Sequence, residues 1–267
     1  TLDNIPLNDE LTFKLLRKPQ TNGVFQLESN GLKDIIKRLK PDKFDDLVAL
    51  VALYRPGPLQ SGMVDDFIDR KNGANVSYLH PMIEDVLKPT YGVILYQEQV
   101  MKIAQVLAGY SLGSADILRR AMGKKKYDEM QQQREIFVSG CVRNKIEKKQ
   151  AEYIFDLMEK FAGYGFNKSH SVAYALIAYQ TAYLKTHFKE PFLASVLSSD
   201  MDNTDKVVKF VKECEEMNVT LNPPSINMSN YAFSVTENKQ IVHGLGAIKG
   251  VGNAIIEIIL EERDSNG

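Results

Sequence analysis

TYGVILYQEQVMKIAQVLAGYSLGSADILRRAMGKKK, residues 90–126, alternates helical patterns with glycine stops and closes on a cluster of cations. From Gln97 to Ala108 the apolar residues Val100, Ile103, Ala104 and Leu107 recur at helical spacing, and Gly109 supplies the stop. Ser114 is placed to cap a second, shorter helix carrying Ile117, Leu118, Arg119 and Arg120, with Gly123 ending it. The opening TYGVILY reads as a short strand or extended segment. Arg119, Arg120, Lys124, Lys125 and Lys126 then fall within eight residues, and the window 118–126 holds no acidic residue. Such a run is either a solvated helix face or a seat for an anion, and spacing alone does not separate the two.

GYGFNKSHS, residues 163–171, has a related character. Two glycines lead into Asn167, Lys168, Ser169 and His170 where a long apolar pattern begins, so backbone N–H groups and a cation point out of a helix start. Phosphate is stabilised in such a place; the alternative is a plain turn and cap. The segment lacks the GxxxxGK[ST] spacing of a Walker A loop, which excludes that kind of ATP site.

The 267 residues suffice for one large or two modest domains, and 44% hydrophobic with 25% charged residues is the balance of an ordinary globular chain. A net charge of −1 excludes a chain that is basic throughout, so any phosphate binding must come from local clustering. Cys141 and Cys214 lie far apart without CxxC or Cys/His spacing, which argues against a disulfide framework or a structural zinc and for a reduced, cytoplasmic setting. Both read as packing thiols, and His80, His187 and His243, which lack ligand spacing, read as structural. There is no run of about 18 apolar residues and no signal-peptide pattern. The chain begins at Thr1 without an initiator methionine and ends near a charged helical stretch, as expected of a piece of a longer protein.

Elsewhere the pattern is again mostly helical. Residues 23–27, GVFQL, read as a short strand or turn, and Ser29 caps a helix with Leu32, Ile35, Ile36 and Leu39 before Pro41. Residues 42–54 are apolar on most sides, and Arg55-Pro56-Gly57-Pro58 ends that helix abruptly in an exposed turn. A helix restarts at Ser61, with Asp65, Asp66 and Asp69 as a solvated face. Helices are expected over 128–143, 147–161 and 169–188, the last stopped by Pro191, with Tyr174, Tyr179 and Tyr183 as packing residues; another runs from Thr204 to Met217. Asn222-Pro223-Pro224 breaks the rhythm, and residues 231–235 and 240–243 pair as strands across Thr-Glu-Asn-Lys. Gly250-Val251-Gly252 before Ile255, Ile256, Ile259 and Leu260 is the hairpin of a helix-hairpin-helix unit, whose glycines let the backbone approach a DNA phosphate. The fold class is mainly α, with a few short strands near Val24, Val93 and 231–242.

GVFQLES (23–29), LVALVALYRPGPLQSGMVDDFIDRK (47–71), residues 90–126, FAGYGFNKSHSVAYALIAYQTAYLK (161–185) and GLGAIKGVG (244–252) follow one another across nearly the whole chain. Together they resemble the fingers region of the alpha subunit of bacterial DNA polymerase III, the C-family replicative polymerase. The resemblance implies a DNA-directed DNA polymerase whose palm holds three aspartates and two Mg2+ ions, and whose fingers close on the triphosphate of the incoming deoxynucleotide. In that family the palm aspartates lie upstream of the matched region. It therefore implies no catalytic residue and no bound metal in this chain, and no polymerase activity from the chain alone.

By the same resemblance Arg119 and Arg120 match the arginine pair near the incoming triphosphate, a role suited to guanidinium forks. Tyr164, Asn167, Lys168, Ser169 and His170 complete the nucleotide-binding set, with Tyr164 and His170 beside base and sugar. His170 is either a bulk barrier to a ribose 2′-hydroxyl or a capping or core histidine. Lys124, Lys125 and Lys126 assist at the triphosphate or hold template phosphates, and Gly250 and Gly252 approach DNA. Arg55 touches nucleic acid or forms a salt bridge, and Gln97, Glu98 and Gln99 form a buried polar network. The division expected is a lead-in from the palm side (1–17), multi-lobed helical fingers (18–220), a connector of short strands (221–243) and the start of a helix-hairpin-helix unit (244–267). Expected partners are template-primer DNA, deoxynucleoside triphosphate and the palm and thumb of the same subunit. The sliding clamp, exonuclease and clamp loader would dock mostly outside this region, and no membrane is involved. The alternative is a non-catalytic helical DNA-binding or protein-interaction module.

Overall fold

Local capping and apolar spacing account for most of the elements in the computed structural model, which describes residues 1–124, 127–162 and 165–267. Asp9 opens α1 (Glu10–Arg17) by accepting from Thr12 N at 2.8 Å, and Phe13 and Leu16 are buried on one face. Ser29 caps α2 (Asn30–Leu39), whose Leu32, Ile35, Ile36 and Leu39 are all buried as the spacing predicts. In α3 (Phe44–Leu53) seven of ten residues are buried, so it is a core helix with little amphipathic character.

The proline-rich stretch after it departs from expectation. Pro56 does not merely end α3; it takes the first position of a short helix, α4 (Pro56–Gln60), where its missing N–H loses no partner and its fixed φ suits the helix. Then come α5 (Met63–Lys71), α6 (Glu84–Leu87), α7 (Gln97–Ala108), α8 (Leu112–Lys124), α9 (Tyr127–Arg143), α10 (Lys148–Ala162), α11 (Lys168–His187), α12 (Lys189–Ser199), α13 (Thr204–Glu216) and α14 (Asn253–Asn266).

Three boundaries correct the sequence reading. The cap of α8 is Ser111, whose Oγ accepts from Ser114 N at 3.2 Å, and Ser114 returns the bond to Ser111 O at 3.0 Å. Gly123 lies inside α8, since an isolated helical glycine weakens a helix without ending it. Pro191 does not stop α11; Phe188 breaks the chain direction, and Pro191 sits in the first turn of α12, where no N–H is needed.

Packing divides the chain into two compact units, Asp34–Ile177 and the discontinuous pair Thr1–Lys33 with Ala178–Gly267. Within Asp34–Ile177, α7 packs against α8, α9 and α10 around buried Ile103, Leu107, Leu118, Phe137, Phe155 and Met158. Gly140 permits the close approach of α9 to α7, because a Cβ there would stand 2.3 Å from Ala108 O.

In the other unit α12 packs on α13 and on a small sheet ordered β1-β3-β2. Its strands are β1 (Leu221–Asn222), β2 (Ser234–Val235) and β3 (Ile241–Val242). The expected hairpin is β2 antiparallel to β3, with Ser234 opposite Val242, while β1 adds a parallel edge that no alternation in its sequence announced. Of the two readings of residues 23–27 the turn is the one found at Val24, and Val93 lies outside any strand, so no strand forms at either place. Gly250, at φ +88°, turns the chain before Gly252 precedes α14. Of the isoleucines in α14 only Ile256 is buried; Ile255 and Ile258 are 55% and 65% exposed.

Candidate functional site

Gln97, Glu98 and Gln99 open α7, and each side chain reaches a different neighbour. Gln99 folds back on its own helix start: its Oε1 accepts from Leu95 N at 2.8 Å and Tyr96 N at 2.9 Å, and its Nε2 donates to Thr90 Oγ1 at 2.7 Å and Val86 O at 3.1 Å. These bonds satisfy buried donors at the helix start and hold the 95–97 backbone in place. That backbone pairs with the glycine-bearing segment. Phe166 N donates to Leu95 O at 3.3 Å and Gln97 N donates to Phe166 O at 3.0 Å, an isolated parallel bridge. Glu98 accepts from Lys168 N with both carboxylate oxygens at 3.1 Å, so the start of α11 already faces an anion.

Gln97 spans the remaining gap. Its Nε2 donates to Gly165 O at 2.9 Å, and its Oε1 accepts from Arg119 Nη1 at 3.3 Å. The arginine-bearing helix and the segment around Gly165, far apart in sequence, therefore meet across one side chain. Both lie in the Asp34–Ile177 unit.

Asp116 organises the arginines. Its Oδ1 accepts from Arg119 Nε at 2.9 Å and Nη2 at 2.7 Å, and its Oδ2 pairs with Arg120 Nε at 2.8 Å. The Arg119 hydrogen bonds hold the Asp116 carboxyl below its usual range, against a smaller opposing effect of desolvation and with help from Arg120. Arg119 is partly covered, with 31% of its side chain exposed, whereas Arg120 is 66% exposed.

Asn167 caps α11 by accepting from His170 N at 2.8 Å. Asn167, Lys168, Ser169 and His170 are all exposed, and Lys168 Nζ lies 5.6 Å from the centre of the Tyr96 ring. The His170 ring stands 4.1 Å from that of Tyr174 and 5.2 Å from that of Phe166. On the Phe166 ring stacks Arg55, its guanidinium carbon 4.1 Å from the ring centre, and burial lowers its pKa. Arg55, Phe166, His170 and Tyr174 thus form a ladder of flat groups beside the exposed helix start.

Tyr164, Lys125, Lys126 and the side chain of Lys124 lie outside the described residues. Gly250 and Gly252 belong to the other unit, where a Cβ at either would meet nothing within 4 Å, so their backbone is open to approach. Cys141 and Cys214 are buried, and burial pushes both thiols up to about 11. Among the described residues no group of three or more His, Cys, Asp or Glu side chains is arranged to hold a metal ion, and no helix is long and apolar enough to cross a membrane.

Sequence reasoning passed over Asp116, although an acid three and four residues before two arginines is a readable helical ion-pair signal. It also missed Phe166 and the separate tasks of Gln97 and Glu98, for which no local signal exists.

The profile of the bacterial DNA polymerase III alpha subunit finger domain matches residues 1–145. This chain belongs to the bacterial DNA polymerase III alpha-subunit family. The DNA polymerase III subunit alpha of Pseudomonas aeruginosa is 61% identical over the whole chain, and that of Vibrio cholerae 58%. The Escherichia coli K12 subunit is 58% identical over 98% of the chain. The chain spans 23% of the length of the Pseudomonas aeruginosa alpha subunit and 24% of that from Vibrio cholerae. A helix-hairpin-helix profile matches residues 218–267, which holds the small sheet, Gly250, Gly252 and α14.

Proposed function

We propose that within the alpha subunit this chain binds the triphosphate of the incoming deoxynucleotide during template-directed DNA synthesis, with Arg119 and Arg120 as the phosphate ligands. The carrying observation is the convergence of Arg119 with the segment around Gly165 through Gln97. A guanidinium pair and an exposed helix start, both suited to phosphate, are thereby brought together across Gln97. Asn167, Lys168, Ser169 and His170 line the helix-start side, with Tyr164 and His170 beside base and sugar. Asp116 and Glu98 hold these groups as carboxylate partners, and phosphate oxygens would compete with them. Lys124, Lys125 and Lys126 follow the arginines in sequence and serve the triphosphate or the template. Support for DNA contact at Gly250 and Gly252 comes from the helix-hairpin-helix match and their open backbone.

The polymerase reaction uses Mg2+, and the described donor groups do not fit a metal site, so no step is assigned to the ion through these residues. The chain by itself is expected to give no primer extension. In the intact subunit, Arg119→Ala should raise the KM for deoxynucleotide about ten- to a hundredfold, the loss of charge-assisted hydrogen bonds, with DNA affinity nearly unchanged. Equal nucleotide dependence in mutant and wild type would overturn the assignment. His170→Ala should increase ribonucleotide incorporation if its ring excludes the 2′-hydroxyl; an unchanged frequency removes that role.

A further inference from the structure

We infer that Gln97 is a positioning residue that couples Arg119 to the segment running from Gly165 to His170, so that one amide sets both halves of the nucleotide site. The inference rests on the reading of Arg119 as a triphosphate ligand.

The chemistry of the neighbours defines the orientation of the amide. A guanidinium has no acceptor and a carbonyl no donor, so Oε1 must face Arg119 Nη1 and Nε2 must face Gly165 O, as they do at 3.3 and 2.9 Å. Asp116 takes Nε and Nη2 of the same guanidinium, which is thus held along two edges by two different residues. Gln97 is itself immobilised, because its N–H donates to Phe166 O and Gln99 holds the amides of Leu95 and Tyr96 just before it. A rigid amide between them ties the placement of Arg119 to that of Gly165, and through Phe166 to the ring of His170. Removing it leaves Arg119, among the described residues, with Asp116 as its side-chain partner, and a guanidinium held on one edge samples more orientations before it meets a phosphate.

Primer extension by the intact alpha subunit tests this with three variants and one pair. Gln97→Ala should raise the KM for deoxynucleotide about fivefold, the scale of one hydrogen bond, while kcat stays within about twofold. In an Arg119→Ala background the same change should add less than about twofold, because its route to the nucleotide is gone. Gln97→Glu keeps an acceptor for Arg119 but presents oxygen to Gly165 O, and should also raise KM; it provides the reading if Gln97→Ala folds poorly. Equal effects of Gln97→Ala with and without Arg119 would overturn the coupling while leaving the triphosphate assignment standing. A wild-type KM for Gln97→Glu would show the Gly165 contact to be idle and overturn it too. An unchanged KM for Arg119→Ala would overturn the triphosphate assignment and this inference together.

Discussion

Asp9 collects hydrogen bonds from Thr12 N at 2.8 Å and Thr12 Oγ1 at 2.7 Å, and His187 Nε2 lies 2.9 Å from the same oxygen. Burial pushes its carboxyl up, but the Thr12 bonds and His187 outweigh it and hold the group below 3.8. A carboxyl with a depressed folded pKa contributes stability that is complete above its unfolded value and lost as pH falls through the lower folded one. Asp9→Asn should therefore flatten the fall in melting temperature as pH drops from the ordinary carboxylate range downward, and an NMR titration of Asp9 should give a midpoint below the ordinary one. At this scale a sequence shows which residues can bond and seldom which do. The sequence reading took residues 1–17 only as a lead-in; the structure shows Asp9 as the cap of α1 and in contact with His187, 178 positions away.

Glycine and proline carry the lesson at the level of helices. Gly140 and Gly123 both sit inside helices, yet their surroundings predict opposite outcomes. Gly140→Ala drives a methyl against the Ala108 carbonyl and should destabilise by about 1–3 kcal/mol through overpacking. A Cβ at Gly123 meets nothing within 4 Å, so Gly123→Ala should stabilise by about 0.5–1 kcal/mol through reduced backbone freedom. Urea denaturation of the two variants checks both signs. α3 does end before Pro56, as read, but Pro56 also opens α4, and Pro191, read as the stop of α11, sits in the first turn of α12, because the rule against helical proline concerns an N–H that a first turn does not use. Helix existence was legible for α2, α3, α5, α7, α8, α9, α10, α11, α13 and α14, and α12 was missed for that reason.

One of the two compact units is assembled from two stretches far apart in the chain, Thr1–Lys33 and Ala178–Gly267. Lys185 of α11 is fully buried, and its ammonium donates to Gln20 O and Asn22 O at 2.8 Å and to the buried carboxylate of Glu213. One cation therefore joins the two discontinuous stretches. Lys185→Met leaves Glu213 uncompensated and should cost about 3–5 kcal/mol, whereas Lys185→Met combined with Glu213→Leu should recover most of that loss, because replacing both partners removes the buried charges. Thermal unfolding of the single and double variants measures it; a single variant as stable as wild type would show that the pair does not hold the stretches together. The boundary near 220 was read from a change of composition, whereas a unit whose parts are separated by more than a hundred residues leaves no such mark along the chain.

Family and helical class were determined by sequence alone, and the arginine-bearing and glycine-bearing segments were singled out there, because long ordered motifs and the 3.6-residue period are properties of neighbours along the chain. Only the tertiary structure decided that those segments meet, that Gln97 stands between them, that Asp116 pairs with the arginines and that Glu98 accepts from the first N–H of α11. The physical reason is that hydrogen bonds and ion pairs depend on distances of about 3 Å, which folding sets between residues that no local pattern relates.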